Sequence, residues 1–308
     1  MAETSPFDSL DALLDSWSED VLHGKAPIRW PSGSGALSNF PLGPGLMTLL
    51  GGPPGAGKTA IANQLVFDAV RLNPGLKVLV TCCEMSPSVL LDRQLSRLSG
   101  VPYTLIRDRR LTAEHHTAVN IGLATLSEIR TRLGFLTGAF DLAGVTAAGD
   151  GFDADLILID YLQRLHATDS DGRPFRDKRS MTNTILDTFR QFAAAGRGLL
   201  VLSSVGRQPS GKHGKSSYDG LGLASFKETG ECEFAADDAF ILAPPVDGWA
   251  TLKHVKARHT EQMDIRLRAE LAFMRFDPES DGTPKESADL LDKARKLVNA
   301  EKPKRGSK

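Results

Sequence analysis

Apolar and polar residues along this chain fall into two rhythms. Short, nearly continuous apolar runs at 46–50, 77–81, 155–160, 198–203, 238–242, 251–257 and 268–276 read as strands. Stretches with apolar residues every three or four positions follow the early strands: 58–72, then 86–99 with 112–133, then 180–196. These read as helices. Strands that are apolar on both faces and alternate with helices predict an α/β fold, a mostly parallel sheet with helices on either side. The last strands follow one another without helices, which predicts an antiparallel extension of that sheet.

The same patterning divides the chain. Phe7, Leu10, Leu14, Trp17 and Val21 alternate spacings of three and four, so 1–24 reads as an amphipathic helix with one apolar seam, suited to linking or oligomerisation. Residues 25–45 are rich in Pro, Gly and Ser and read as a linker and a turn into the first strand. The α/β domain then spans 46–277, and 278–308 is a polar tail with a short helical pattern at 286–299. Two long Gly- and Pro-containing loops, 166–179 and 206–222, interrupt the domain, and loops of that length are usually functional or disordered.

Composition narrows the partners. Of the 308 residues, 41% are hydrophobic and 24% charged, an ordinary balance for a globular protein with a sizeable core. The net charge is −1, so any nucleic-acid contact must be local or multiplied by oligomerisation. Cys82, Cys83 and Cys232 have no metal-ligand spacing and read as reduced thiols. The acidic N-terminus lacks an apolar signal core, and no apolar run is long enough to span a membrane. The expectation is a cytoplasmic protein without a membrane partner.

One motif carries chemistry. Gly52, Pro53, Pro54, Gly55, Ala56, Gly57, Lys58 and Thr59 fit G-x-x-x-x-G-K-[ST], and with Ala60 they are the expected nucleotide-binding residues. The motif follows a predicted strand and opens a predicted helix. Glycines let backbone N–H groups turn toward phosphate oxygens, and the helix N-terminus favours the anion. Lys58 would reach the β- and γ-phosphates and Thr59 would hold magnesium. The run D-L-I-L-I-D ends in Asp160, at the sheet edge where α/β folds bind ligands, and Asp160 would hold the same magnesium through water. Glu84 ends another strand. It is either the acid that orients the attacking water or a residue capping the helix that starts near Ser86 and Pro87.

These segments resemble the C-terminal ATPase domain of DnaB-type replicative helicases, a RecA-like P-loop NTPase. GGPPGAGKTA, CCEMS, IDYLQRL, VLSSVGR, ASFKETGECEFAADDAFIL and HVKAR stand in the family's order, over about 35–277. The resemblance implies ATP and Mg²⁺ as cofactors, Glu84 as catalytic carboxylate, and Lys256 and Arg258 as cations reaching a neighbouring subunit's nucleotide. It implies a homo-oligomer, a hexameric ring, that tracks single-stranded DNA. The DNA-contacting loops would then carry Arg173, Arg176, Lys178 and Arg179, and Arg207, Lys212 and Lys215. Ser204 departs from the family. It stands where a glutamine couples the γ-phosphate to those loops, and serine is too short to span the same gap. The implied function is an ATP-dependent DNA helicase. Two alternatives keep the ATPase core, a nucleotide-switched assembly or loading factor without unwinding and a RecA- or RadA-like recombinase.

Overall fold

The computed structural model describes residues 9–169, 171–206, 221–226 and 234–279. Among these, nine strands form one sheet in the order β3-β2-β4-β5-β1-β6-β7-β8-β9. β1 (Met47–Gly52), β2 (Val78–Cys82), β3 (Leu133–Leu136), β4 (Leu156–Asp160), β5 (Gly198–Ser204) and β6 (Asp238–Leu242) pair in parallel. β7 (Trp249–Ala257), β8 (Ile265–Glu270) and β9 (Arg275–Pro278) add the antiparallel extension.

Side chains alternate across this sheet and both faces are covered. Leu156 and Leu158 of β4 join one core with α2 (Lys58–Leu72), whereas Ile157 and Ile159 join a second core with α7 (Lys178–Ala194). Every residue of α2 from Ala60 to Val70 is buried, which anchors the helix that follows the glycine loop. Two of its buried polar side chains tie it to other elements. Gln64 donates to the Phe276 carbonyl and accepts from the Phe276 N–H, tying β9 to α2. Asp68 accepts two hydrogen bonds, each 2.9 Å, from Arg97 of α3 (Pro87–Ser99).

Three elements differ from the sequence expectation. The helix expected over 112–133 is α5 (Ala113–Glu128) and ends early, because the chain turns into the short edge strand β3. α4 (Tyr103–Arg107) and α6 (Leu142–Phe152) complete the helices that follow the glycine loop. α6 has no sequence signal, since LAGVTAAGDGF is small and glycine-rich with no clear apolar stripe. The single strand expected over 268–276 is two, because the apolar run LAFM forms a 3₁₀ turn and Met274 takes a left-handed φ of 53°.

The N-terminal helix α1 is present over Leu10–His23, capped by Ser9, which accepts from the Ala12 N–H. It has no buried residue, and Leu10, Trp17 and Val21 are exposed. Most of the Gly/Pro/Ser-rich stretch after it packs on the core, with Trp30, Leu37, Phe40 and Leu42 buried, so the fully exposed connection is only 24–29. Phe7, Cys232, the pattern at 286–299 and the tail lie outside the described residues, as do Arg207, Lys212 and Lys215. No described helix is long and apolar enough to cross a membrane.

Candidate nucleotide site

The glycine loop leaves the carboxyl edge of β1 and enters α2 directly. Gly57 takes φ 99°, and a β-carbon there would meet the Phe276 ring at 2.7 Å, so both backbone shape and packing require glycine. Lys58 folds back on its own loop, donating to the carbonyls of Gly52 at 2.8 Å and Pro53 at 3.0 Å. Burial lowers its pKa, and the carboxylates of Asp160 and Glu84 oppose that shift. A triphosphate would exchange those two carbonyls for phosphate oxygens, a stronger charge-assisted partner.

β4 brings Asp160 to the same edge. Its backbone N–H donates to Thr81 Oγ1 at 2.9 Å, and its Oδ1 accepts from Thr59 Oγ1 at 3.4 Å. Burial pushes the Asp160 carboxyl up to about 6, the Thr59 contact lowers it, and the Glu84 charge raises it further. A hydroxyl and a carboxylate oxygen side by side form a hard donor pair of the kind Mg²⁺ takes. Among the described residues no cluster of three or more His, Cys, Asp or Glu forms a self-contained metal site. A cation here would therefore draw its remaining ligands from water and the nucleotide, which is the usual Mg²⁺ pattern. The residues fit the ion, and Thr59 and Asp160 would hold it.

These groups share one cavity of about 440 Å³, into which Lys58, Thr59, Glu84 and Asp160 all face. Ser204, at the end of β5, also lines it. The cavity includes residues that sequence reasoning missed. Tyr161 follows Asp160 directly, and Met85 follows Glu84. Arg93 comes from α3, and Leu271 and Met274 come from the turn between β8 and β9. Leu271 and Met274 are distant in sequence from every motif, and only the fold brings them in; Arg93 is nine residues after Glu84 but carries no motif of its own.

Lys256 and Arg258 do not line this cavity. β7 runs antiparallel to β6 with Ala257 opposite Asp238, which places both cations at the amino edge of the sheet. Lys256 Nζ donates to the Ala236 carbonyl at 2.6 Å, and Arg258 donates to Asp237 Oδ1 at 2.8 Å and to the Phe234 carbonyl at 2.9 Å. β6 is five residues long, so the two edges are about 16 Å apart. Arg258 cannot reach the phosphate cavity of its own chain.

Arg173 and Arg176 are exposed in the loop after β4, and Arg173 pairs with Asp171 at 3.4 Å. That loop is shorter than expected. Asp177 caps α7 by accepting the Ser180 N–H, so Lys178 and Arg179 are the first residues of a helix. Both long loops leave the sheet at the phosphate edge, after β4 and β5. Cys82 and Cys83 are free thiols, and burial pushes Cys82 up to about 12, so neither is set up as a nucleophile.

A glycine loop between a parallel strand and a helix, with an aspartate on a neighbouring strand, defines a P-loop NTPase of RecA-like architecture. Residues 41–277 match the family model for the DnaB-like helicase C-terminal domain, and the chain belongs to that family. It is similar to a solved ATPase domain at 17% identity with a TM-score of 0.74, over 89% of this chain and 100% of that one. It is also similar to a DnaB-like replicative helicase described with its interactions with primase. That match has 15% identity and a TM-score of 0.72, over 90% of this chain and 68% of that chain. No curated protein matches the chain by sequence.

Proposed function

We propose that this chain hydrolyses ATP with Mg²⁺ in the cavity between the glycine loop, β2 and β4, and that hydrolysis drives movement along single-stranded DNA with unwinding of duplex. The observation that carries this reading is the convergence of Lys58, Thr59, Glu84 and Asp160 on one cavity, from three separate strand ends. Lys58 neutralises charge on the β- and γ-phosphates. Thr59 and Asp160 hold the cation, which when bound supplies further charge neutralisation. Glu84 orients a water toward the terminal phosphate.

Chains assemble so that one protomer's amino edge meets the next protomer's carboxyl edge. Arg258 and Lys256 then stabilise developing charge on a neighbour's phosphate, because they are out of range of their own. In a hexameric ring, Arg173, Arg176, Lys178 and Arg179 from each copy, with Arg207, Lys212 and Lys215, follow a phosphate backbone electrostatically.

Ser204 supports a second reading, a nucleotide-switched assembly factor that does not unwind. Its hydroxyl is short, and its N–H donates to Gln163 Oε1 at 3.3 Å, so it offers the loops little to pull on. Two assays separate the readings, ATPase rate with and without single-stranded DNA, and strand displacement. The motor shows DNA-stimulated hydrolysis and displacement, and Lys58→Ala loses both. Hydrolysis that ignores DNA, with no displacement, identifies the switch.

A further inference from the structure

α3 begins three residues after Glu84 and carries several charged side chains. Most of them are consumed in pairs. Asp92 accepts from Arg109 at 2.9 Å, and Arg97 is held by Asp68 and by Gln94 at 2.8 Å. Arg93 is different. It lines the cavity that holds Lys58, Thr59, Glu84 and Asp160, and it makes no hydrogen bond or ion pair among the described residues. Its Nε is enclosed and has no acceptor. The guanidinium carbon lies 5.9 Å from the centre of the Tyr103 ring, which backs it on the side of α4.

An enclosed N–H donor without an acceptor is rare and calls for a specific reason. The terminal nitrogens of the same guanidinium have no partner among the described residues either, and they, rather than the enclosed Nε, are what a ligand in the cavity would meet. Arg93 and Asp160 line the same cavity. The two acids facing the cavity, Glu84 and Asp160, are otherwise balanced by Lys58 alone. A triphosphate brings more negative charge than a diphosphate, and the addition falls at the end of the chain beside Glu84.

We propose that Arg93 is a second phosphate-binding cation of this site, contributed within the same chain by α3, and that it binds the terminal phosphate of a nucleoside triphosphate. This rests on the reading of the cavity as a triphosphate site. A planar fork with a free edge donates to two phosphate oxygens at once, which a lysine cannot do. Because Asp68 of α2 grips Arg97 one turn further along, an Arg93 bound to phosphate ties both ends of that stretch of α3 to the phosphate-loop helix. A diphosphate leaves the Arg93 end untied.

The test compares Mg²⁺-ADP with the Mg²⁺ complex of a β,γ-imido ATP analogue by calorimetry on the full chain. Wild type binds both. Arg93→Ala weakens the triphosphate analogue by roughly ten- to a hundredfold and leaves ADP within about twofold, as loss of a charge-assisted pair requires. Arg93→Lys restores part of the difference. Arg93→Gln repeats the comparison with the side-chain bulk kept, should the alanine variant fail to fold. Equal weakening of both nucleotides, or no weakening of either, overturns the assignment of Arg93 alone. If wild type binds neither nucleotide, the triphosphate reading of the cavity falls with it.

Discussion

Asp160 shows how one residue trades stability for chemistry. β4 delivers it to a place where its side chain is almost fully enclosed, and burial moves its pKa from 3.8 to about 6. The folded state therefore disfavours the ionised form. Above pH 6 the metal-free protein bears the full cost, about 3 kcal/mol for a shift of this size. The cost fades as pH falls from 6 toward 3.8, and below that both folded and unfolded states are protonated and none remains. Asp160→Asn removes the ionised form altogether. In EDTA at pH 7.5 the variant should be more stable than wild type, by up to about 3 kcal/mol, and the gap should shrink by about half near pH 5. Adding Mg²⁺-ATP should stabilise wild type and not the variant. A variant that melts lower at pH 7.5 would mean that the buried carboxylate is stabilised by partners other than Thr59. At this scale the sequence is most informative. Lys58 and Thr59 stand in a motif whose glycines and flanking elements have a mechanical reason, and Asp160 ends an apolar run. Arg93 had no such mark, since an arginine on an amphipathic helix is ordinary until the fold turns it toward a cavity.

At the scale of elements, periodicity read the buried strands and α2 because their apolar residues have nowhere else to go. It failed where elements are short or weakly patterned. β3 is four half-buried residues, and α6 owes its place to the sheet face it covers rather than to its own propensity. α1 is the opposite case, strongly patterned yet unburied. Leu14 is 45% and Trp17 61% exposed, and a lone helix of 14 residues is marginal in water. Such a stripe needs another surface, and we assign it to an adjacent copy. The exposed connection of six residues reaches about 20 Å when extended. Burying Trp17 and Leu14 would contribute on the order of 2 kcal/mol each. Deleting residues 1–24 should leave a folded monomer that binds ATP and hydrolyses it slowly, measured by light scattering, melting and turnover. Assembly of the truncated chain in ATP would show that α1 is dispensable for contact between copies, and outright unfolding would place it in its own core.

The whole molecule is asymmetric across its sheet, with the phosphate cavity at the carboxyl edge and Lys256 and Arg258 at the amino edge. In the isolated chain Arg258 is held by Asp237, a buried carboxylate that also accepts from Arg190 and from the Met47 N–H at the start of β1. If Arg258 serves a neighbour, inactive chains should complement one another. Arg258→Ala and Lys58→Ala should each lack activity on that reading, and mixed assemblies would contain interfaces that pair an intact phosphate loop with an intact arginine. Mixing should restore a fraction of ATPase activity that peaks near equal proportions. If no ratio restores turnover while assembly is intact, Arg258 serves its own chain through the Asp237 pair.

Hydrophobic periodicity and one glycine motif determined the class of this protein. An apolar strand can only be buried in a sheet, and a phosphate loop can only be built where a strand meets a helix N-terminus. Those constraints are local, within about 15 residues of chain, so they are written in the sequence. What only the tertiary structure decided is which distant residues meet. It turned Arg93 toward the cavity, brought Leu271 and Met274 into it, folded 30–45 onto the core, and put Arg258 on the edge it cannot share with its own phosphate loop. Strand order sets these contacts, and strand order follows from how two whole faces of the sheet bury their helices at once, which no window of sequence contains.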